Sequence, residues 1–414
     1  MKIDLDDLLA RFLTYVQIDT QSDHHSETTP STNGQWMLIR RLEKELKALG
    51  IEDVQTTEFG YVLASIPATS SKANVPCIGL LAHVDTADSC SGLAKPIVHK
   101  KYDGKPIVLP DNPNQVLSVD SIPHLQEKIG DDIVTASGTT LLGADDKSGI
   151  AIIMAAVRHL TLHPEIPHGK LRVCFNPDEE IGRGTEKLSL EEFGADVAYT
   201  LDAENLGEVD YESFSADRAS VTIHGVAAHP GWAKGTMVNA MRIAAQFIDA
   251  LPAANSPERS AGRHGYIHPN EVSGSSEHVR IDMLLRDFEM DGLESKHKHL
   301  DDLCARLRAL EPRARIVLEI KKQYRNMRYW LEKDMRPAEY AMEAVRRAGL
   351  VPTTEAIRGG TDGSRLTERG LPTPNLFTGF HNVHSEKEWV SVQDMGKAAE
   401  TVIHLVKLWE ERAS

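Results

Sequence analysis

Apolar positions recur along this chain with two different periods. In residues 35–49, Met37, Leu38, Leu42, Leu46 and Leu49 fall at helical spacing, and Gly50 follows as a stop. Residues 149–162 predict a second helix. Short apolar runs bounded by turn residues, at 77–82, 171–175, 197–201 and 375–378, read as strands buried on both faces. Strands interleaved with helices predict an α/β fold with a mostly parallel sheet.

The texture changes after about Glu208. Residues 220–224 and 315–320 alternate apolar and polar positions, as half-exposed antiparallel strands do, and helical patterns occupy 237–251 and 291–310. A β-α-β-β-α-β order across 211–324 predicts a small α+β, ferredoxin-like domain. Sheet-like and helical segments resume after Asn326, so this domain is an insertion. The expected division is 1–208 and 327–414 for the α/β domain and 209–326 for the insertion.

Lys and Arg number 46 against 61 Asp and Glu, a net charge of −15 that disfavours nucleic acid or an anionic membrane as partner. Cys77, Cys90, Cys174 and Cys304 form no C-x-x-C pair and read as reduced thiols of a cytoplasmic protein. Residues 1–12 are acidic and amphipathic, unlike a secretory signal. The longest apolar run, 149–157, ends at Arg158, well short of the ~20 residues of a membrane span.

Candidate chemistry gathers in five places. His83 ends an apolar run, and Asp85 two residues on can take its other ring N–H. Asp145 and Asp146 form a repelling pair before a helix, which suits either a cation or an N-cap. Asp178, Glu179 and Glu180 follow a buried strand, where a ligand beside a free general base, or simply a solvated acidic turn, would produce the same string. Asp202 closes the 197–201 strand, and His381 and His384 share a loop after 375–378. Each group lies just past the carboxyl end of a predicted strand, where sites assemble in open α/β sheets. Histidines with several carboxylates suit Zn²⁺, with Mn²⁺ or Co²⁺ as alternatives.

The segments LLAHVDT, LLGADDKSGIAIIMAA, NPDEEIGRG, TLDAENLGE, HPGWAKGTMVNA, IRGGTDGSRL and HSEKEWVS resemble, in order, the motifs of the peptidase T family. That family lies within the co-catalytic zinc peptidases, which also include carboxypeptidases and aminoacylases. FLTYVQIDTQSD and YRNM extend the resemblance nearly end to end. It implies two zinc ions per subunit, one on His83, Asp145 and Asp202 and the other on Asp145, Glu180 and His384. It makes Glu179 the general base and Asp85 the residue that orients His83. The H-S-x-x-E context of Glu388 favours His384 over His381. The insertion becomes a lid supplying His229 to the substrate carbonyl, with Arg286 and Asn239 as further substrate-binding positions, Arg358 as the expected anchor for the free carboxylate of the peptide, and an edge strand that a homodimer could use. The implied reaction is release of the N-terminal residue from a tripeptide by metal-activated water. A dipeptidase, carboxypeptidase or N-acyl amino acid hydrolase could use the same site, and a non-catalytic peptide-binding protein is the alternative of another class. Two stretches depart from the family pattern: Ala203 and Glu204 stand where two glycines are usual, and 256–265 is only loosely similar.

Overall fold

Four strands of almost wholly buried residues, Leu171–Asn176, Ile78–His83, Val197–Ala203 and Asn375–Phe377, lie side by side and parallel in a computed structural model that describes residues 2–413. Antiparallel strands flank them: Val62–Ile66 and then Asp53–Thr56 on one edge, Val209–Asp210 on the other. Alternate residues of the parallel strands enter different cores. Leu80, Val173, Tyr199 and Leu201 pack in the larger one with the helices Leu5–Val16, Ala144–Leu162 and Val392–Glu411. Leu81, Cys174 and Ala198 pack in a smaller one with Phe193, Leu366 and Leu371. Burial on both faces is why these strands read as unbroken apolar runs.

Helix Ala144–Leu162 is buried over most of its length, and it meets the Val197–Ala203 strand closely at Gly149. A Cβ there would fall 2.3 Å from the carbonyl oxygen of Leu201. A second, antiparallel sheet joins Ile97–His99, Ile133–Thr135, Trp389–Ser391 and Phe380–His381 over a core around Trp389, Tyr102 and Leu109. The sequence reading did not anticipate it, because its strands are only two or three residues long.

The chain divides into two compact units: Met1–Tyr211, Trp330–Glu355 and Thr361–Ser414 form the first, and Glu212–Tyr329 with Ala356–Gly360 the second. The second unit has a four-stranded antiparallel sheet in the order Tyr266–Gly274, His278–Asp287, Ser215–His224, Arg315–Tyr324. With helices Ala240–Asp249 and Met290–Leu310 it follows the β-α-β-β-α-β order. Residues 356–360 were expected in the α/β domain. They belong instead to the second unit, because Ala356–Ile357 pairs in parallel with Glu212–Ser213. Among the described residues no helix is long and apolar enough to cross a membrane.

The Gly149 contact yields a stability prediction. In Gly149→Ala the helix and the strand must part, because the obstructing atom is backbone, and overpacking of this kind costs about 1–3 kcal/mol. The urea unfolding midpoint should fall accordingly, and an unchanged midpoint would show that the two elements have slack at this crossing.

Candidate active site

At the carboxyl ends of the parallel strands, residues distant in sequence meet. His83 is the last residue of its strand, Asp202 the last but one of its own, and Glu179 and Glu180 lie in the turn after Leu171–Asn176. Asp145 stands at the head of helix Ala144–Leu162, where Asp145 and Asp146 have non-helical dihedrals. His83 Nε2 lies 3.0 Å from Asp145 Oδ1 and 3.8 Å from Asp202 Oδ1. His384 Nε2 lies 3.3 Å from Asp145 Oδ2 and 3.0 Å from Glu180 Oε2. Asp145 therefore turns one carboxylate oxygen toward each imidazole. Two triads result, His83–Asp145–Asp202 and Asp145–Glu180–His384, each with its ligand atoms within 4.8 Å of one another.

Buried side chains behind the triads fix their aim. Asp85 accepts the backbone N–H of Glu179 at 3.0 Å and of Glu180 at 3.1 Å, and its carbonyl oxygen lies 3.1 Å from His83 Nδ1. Asp146 caps the helix by accepting from Gly149 at 3.2 Å, and its other oxygen accepts from the His83 amide at 3.2 Å. The two readings of the Asp145–Asp146 pair thus separate, one residue facing the cluster and the other capping. Asp178 takes a left-handed backbone, φ 60°, and its carboxylate is held by Ser31 and by Gln35 Nε2 at 2.7 Å. This bends the chain directly before Glu179.

The second unit carries the other four candidates. His229 is exposed, accepts the Gly231 N–H through Nδ1 at 3.1 Å, and packs its ring 4.4 Å from that of Trp232. With Nδ1 as acceptor, the neutral ring carries its proton on Nε2. Asn239 caps helix Ala240–Asp249 by accepting from Met241 at 2.9 Å. Arg286 is only 8% exposed, and its Nη1 donates to the carbonyls of Asp217 at 3.2 Å and Leu285 at 3.0 Å. Its Nε and Nη2 make no hydrogen bond with the described residues. Arg358 is more fully used: it donates to the carbonyl oxygens of Gly262 and His264 and to Ser260, and lies over Phe214 and Tyr266.

Residues 120–408 match Peptidase family M20/M25/M40, and the whole chain is similar to a peptidase T from Geobacillus thermodenitrificans, 46% identical over 409 residues with 99% of each chain covered. The chain belongs to that peptidase family. Its fold is also that of an aminopeptidase PepT from Bacillus cereus, with TM-score 0.75, 23% identity and 99% of each chain covered. A tripeptidase from Staphylococcus aureus has TM-score 0.76, 24% identity and 100% of each chain covered.

The electrostatics of this M20-family site call for positive charge. Burial pushes Glu180 up to about 7, helped by Asp145, while contact with His384 opposes it. Burial and then Asp362 push Glu179 well above the carboxylate range, and its side chain accepts no hydrogen bond from the described residues. Hydrogen bonds to Asp145 and Glu180 raise His384 to about 11. Burial opposes a charged His83, yet Asp145, Asp202 and Asp85 lift it well above its ordinary value. Glu180 Oε1 is buried without a hydrogen-bond partner. An orphaned carboxylate oxygen, and imidazoles that are charged only because carboxylates crowd them, are what a pair of divalent cations would satisfy, so the residues fit two such ions. His381 does not join them. It is buried between His124 and Trp389, with ring centroids at 5.2 and 4.4 Å, and burial lowers it to about 3.

Asp178 was given no role of its own within its acidic cluster, and Asp362 was not singled out at all. Asp178 was hidden among three consecutive acids. Asp362 lies far along the chain and is fixed by Asn176 Nδ2 at 2.6 Å, and no local pattern announces that pairing.

Because neighbouring carboxylates raise both His384 and His83 above the ordinary imidazole range in the metal-free cluster and a cation takes the neutral ring, zinc binding should expel protons and weaken as pH falls. Calorimetric titration of metal-free protein in buffers of different ionisation heat should give buffer-dependent enthalpies. Buffer-independent heats would contradict the charged imidazoles.

Proposed function

We propose that this M20-family chain is a zinc-dependent aminopeptidase that releases the N-terminal residue from tripeptides. The observation that carries the reading is a carboxylate shared by two triads beside a half-buried carboxylate, Glu179, that accepts no hydrogen bond from the described residues. The tripeptide class is supported by the full-length similarity to a peptidase T. Four unpaired cysteines fit a cytoplasmic location, and the exposed Tyr266–Gly274 edge strand is the surface on which a second copy would pair.

His83, Asp145 and Asp202 would hold one zinc ion, and Asp145, Glu180 and His384 the other. When bound, the ions polarise the scissile carbonyl and ease ionisation of water. Glu179 takes the proton of the attacking water and passes it to the departing amine. Burial raises its proton affinity above that of an ordinary carboxylate, which favours its taking the proton. Asp85 keeps His83 turned with Nε2 outward. His229 offers Nε2–H to the carbonyl oxygen as negative charge develops there. Asn239 orders the start of the helix in the same unit.

For the free carboxylate of the peptide, Arg286 is the better anchor of the two arginines. A guanidinium with Nε and Nη2 unused presents the two-pronged donor edge that a carboxylate accepts, whereas the donors of Arg358 already go to the 260–264 loop.

The reading is tested with di-, tri- and tetrapeptides bearing free or blocked ends, with and without chelator. Tripeptides with a free N-terminus should be cleaved best, and only in the absence of chelator. Preferential hydrolysis of N-acyl amino acids would move the chain to that activity. Glu179→Gln should retain its zinc and lose ~10²–10⁴-fold in kcat, while Glu180→Gln should lose zinc; the reverse pattern would exchange the two roles. Arg286→Gln should raise KM for free tripeptides at least about tenfold, a charged hydrogen bond being worth ~1.5–3 kcal/mol, and leave KM for C-terminally amidated ones unchanged. Equal effects on both would remove Arg286 as the anchor.

A further inference from the structure

The loop carrying Asp145 is held by a residue outside both triads. Glu388 is 1% exposed, and its carboxylate accepts three backbone N–H groups. Oε2 accepts from Leu142 at 2.8 Å and Gly143 at 2.7 Å, and Oε1 accepts from Asp145 at 2.9 Å. Gly143 is left-handed, φ 77°, and regular helix starts only beyond Asp146, so no helical ladder serves these amides. Glu388 is their partner, and an unpaired buried N–H is costly. With both oxygens committed to amides, Glu388 is not itself a cation ligand. Lys147, fully buried nearby and donating to the Ile18 carbonyl at 2.8 Å, is the compensating positive charge.

The same side chain belongs to the segment that presents His384. The Glu388 amide donates to the Ser385 carbonyl at 3.1 Å, and the neighbouring Trp389 ring N–H donates to Asn382 Oδ1 at 3.1 Å. Asn382 and His384 both have left-handed backbones, φ 56° and 58°. One carboxylate thus ties the turn holding His384 to the turn holding Asp145, and both oxygens of Asp145 depend on where that turn sits.

We propose that Glu388 is a positioning residue that aims the shared Asp145 carboxylate between the two imidazoles and so governs both cation sites together. The inference rests on the two-cation reading above. Residues behind metal ligands typically contribute 10–100-fold to metal affinity. Those behind one ligand act on one ion, whereas Glu388 acts on the ligand common to both.

The test is zinc affinity, measured by competition with a chromophoric chelator, together with the ligand-field absorption of the cobalt-substituted protein. Glu388→Gln places an amide donor against a backbone donor. It should weaken both ions by about 10–100-fold and shift the cobalt bands, whereas Asp202→Asn should weaken one ion selectively. Glu388→Asp keeps the charge but draws the acceptors back by one methylene, and should weaken both ions by less. It also serves as the test if the glutamine variant does not fold. A purely structural tie would lower the unfolding midpoint and leave zinc affinity and the cobalt spectrum of the folded protein as in the wild type. That result, or loss of a single ion, overturns the proposal. Wild-type protein holding fewer than two zinc ions would overturn the two-cation reading and this inference with it. Two ions in the wild type with unaltered affinity in the variants would overturn the inference alone.

Discussion

Mutual repulsion among carboxylates is the constraint on which the rest of this structure turns. Asp145, Glu179, Glu180 and Asp202 converge at one end of the sheet, with Asp85, Asp146, Asp178, Asp362 and Glu388 buried behind them. Such a gathering is tolerated only if each charge finds donors or counter-ions. The structure divides that work between two layers. The back layer is satisfied by the protein: Asp85 by the amides of Glu179 and Glu180, Asp146 by those of His83 and Gly149, Asp178 by Ser31 and Gln35, and Glu388 by the turn at 142–145. The front layer has two imidazoles and little else, which leaves its electrostatics to be completed by cations.

The parallel sheet makes this division possible. Strands that end together deliver His83, Asp202 and the Glu179–Glu180 turn to one edge, and the close helix contact at Gly149 sets Asp145 against them. Asp85, Asp146 and Glu388 each accept from the backbone of a neighbouring candidate segment, so local turns are linked across the sheet edge. Glu179 accepts no hydrogen bond from the described residues, as the proposed role of proton carrier requires.

Much of this was legible in the sequence because burial on both faces writes strands as unbroken apolar runs, as at Ile78–His83 and Leu171–Asn176. The alternation in Ser215–His224 and Arg315–Tyr324 equally marked a sheet exposed on one side. The seven first-unit candidates, His83, Asp85, Asp145, Glu179, Glu180, Asp202 and His384, were singled out as acidic and histidine motifs and given their roles by the family resemblance, and they lie together. The small sheet around Trp389 was not legible, its strands being too short to show a period. Nor was the assignment of 356–360, which depends on a pairing with residues more than a hundred positions away. The different states of Arg286 and Arg358 were hidden for the same reason: both are arginines in resembling motifs, and only their acceptors distinguish them.

The central claim is that Asp145 serves two cations at once. A crystal structure of the zinc-loaded protein with anomalous data at the zinc edge tests it most directly. Two peaks are expected about 3.5–4 Å apart, one among His83, Asp202 and Asp145 Oδ1 and the other among His384, Glu180 and Asp145 Oδ2, each roughly 2.0–2.2 Å from its ligand atoms. A single peak, or two peaks of which only one touches Asp145, would contradict it.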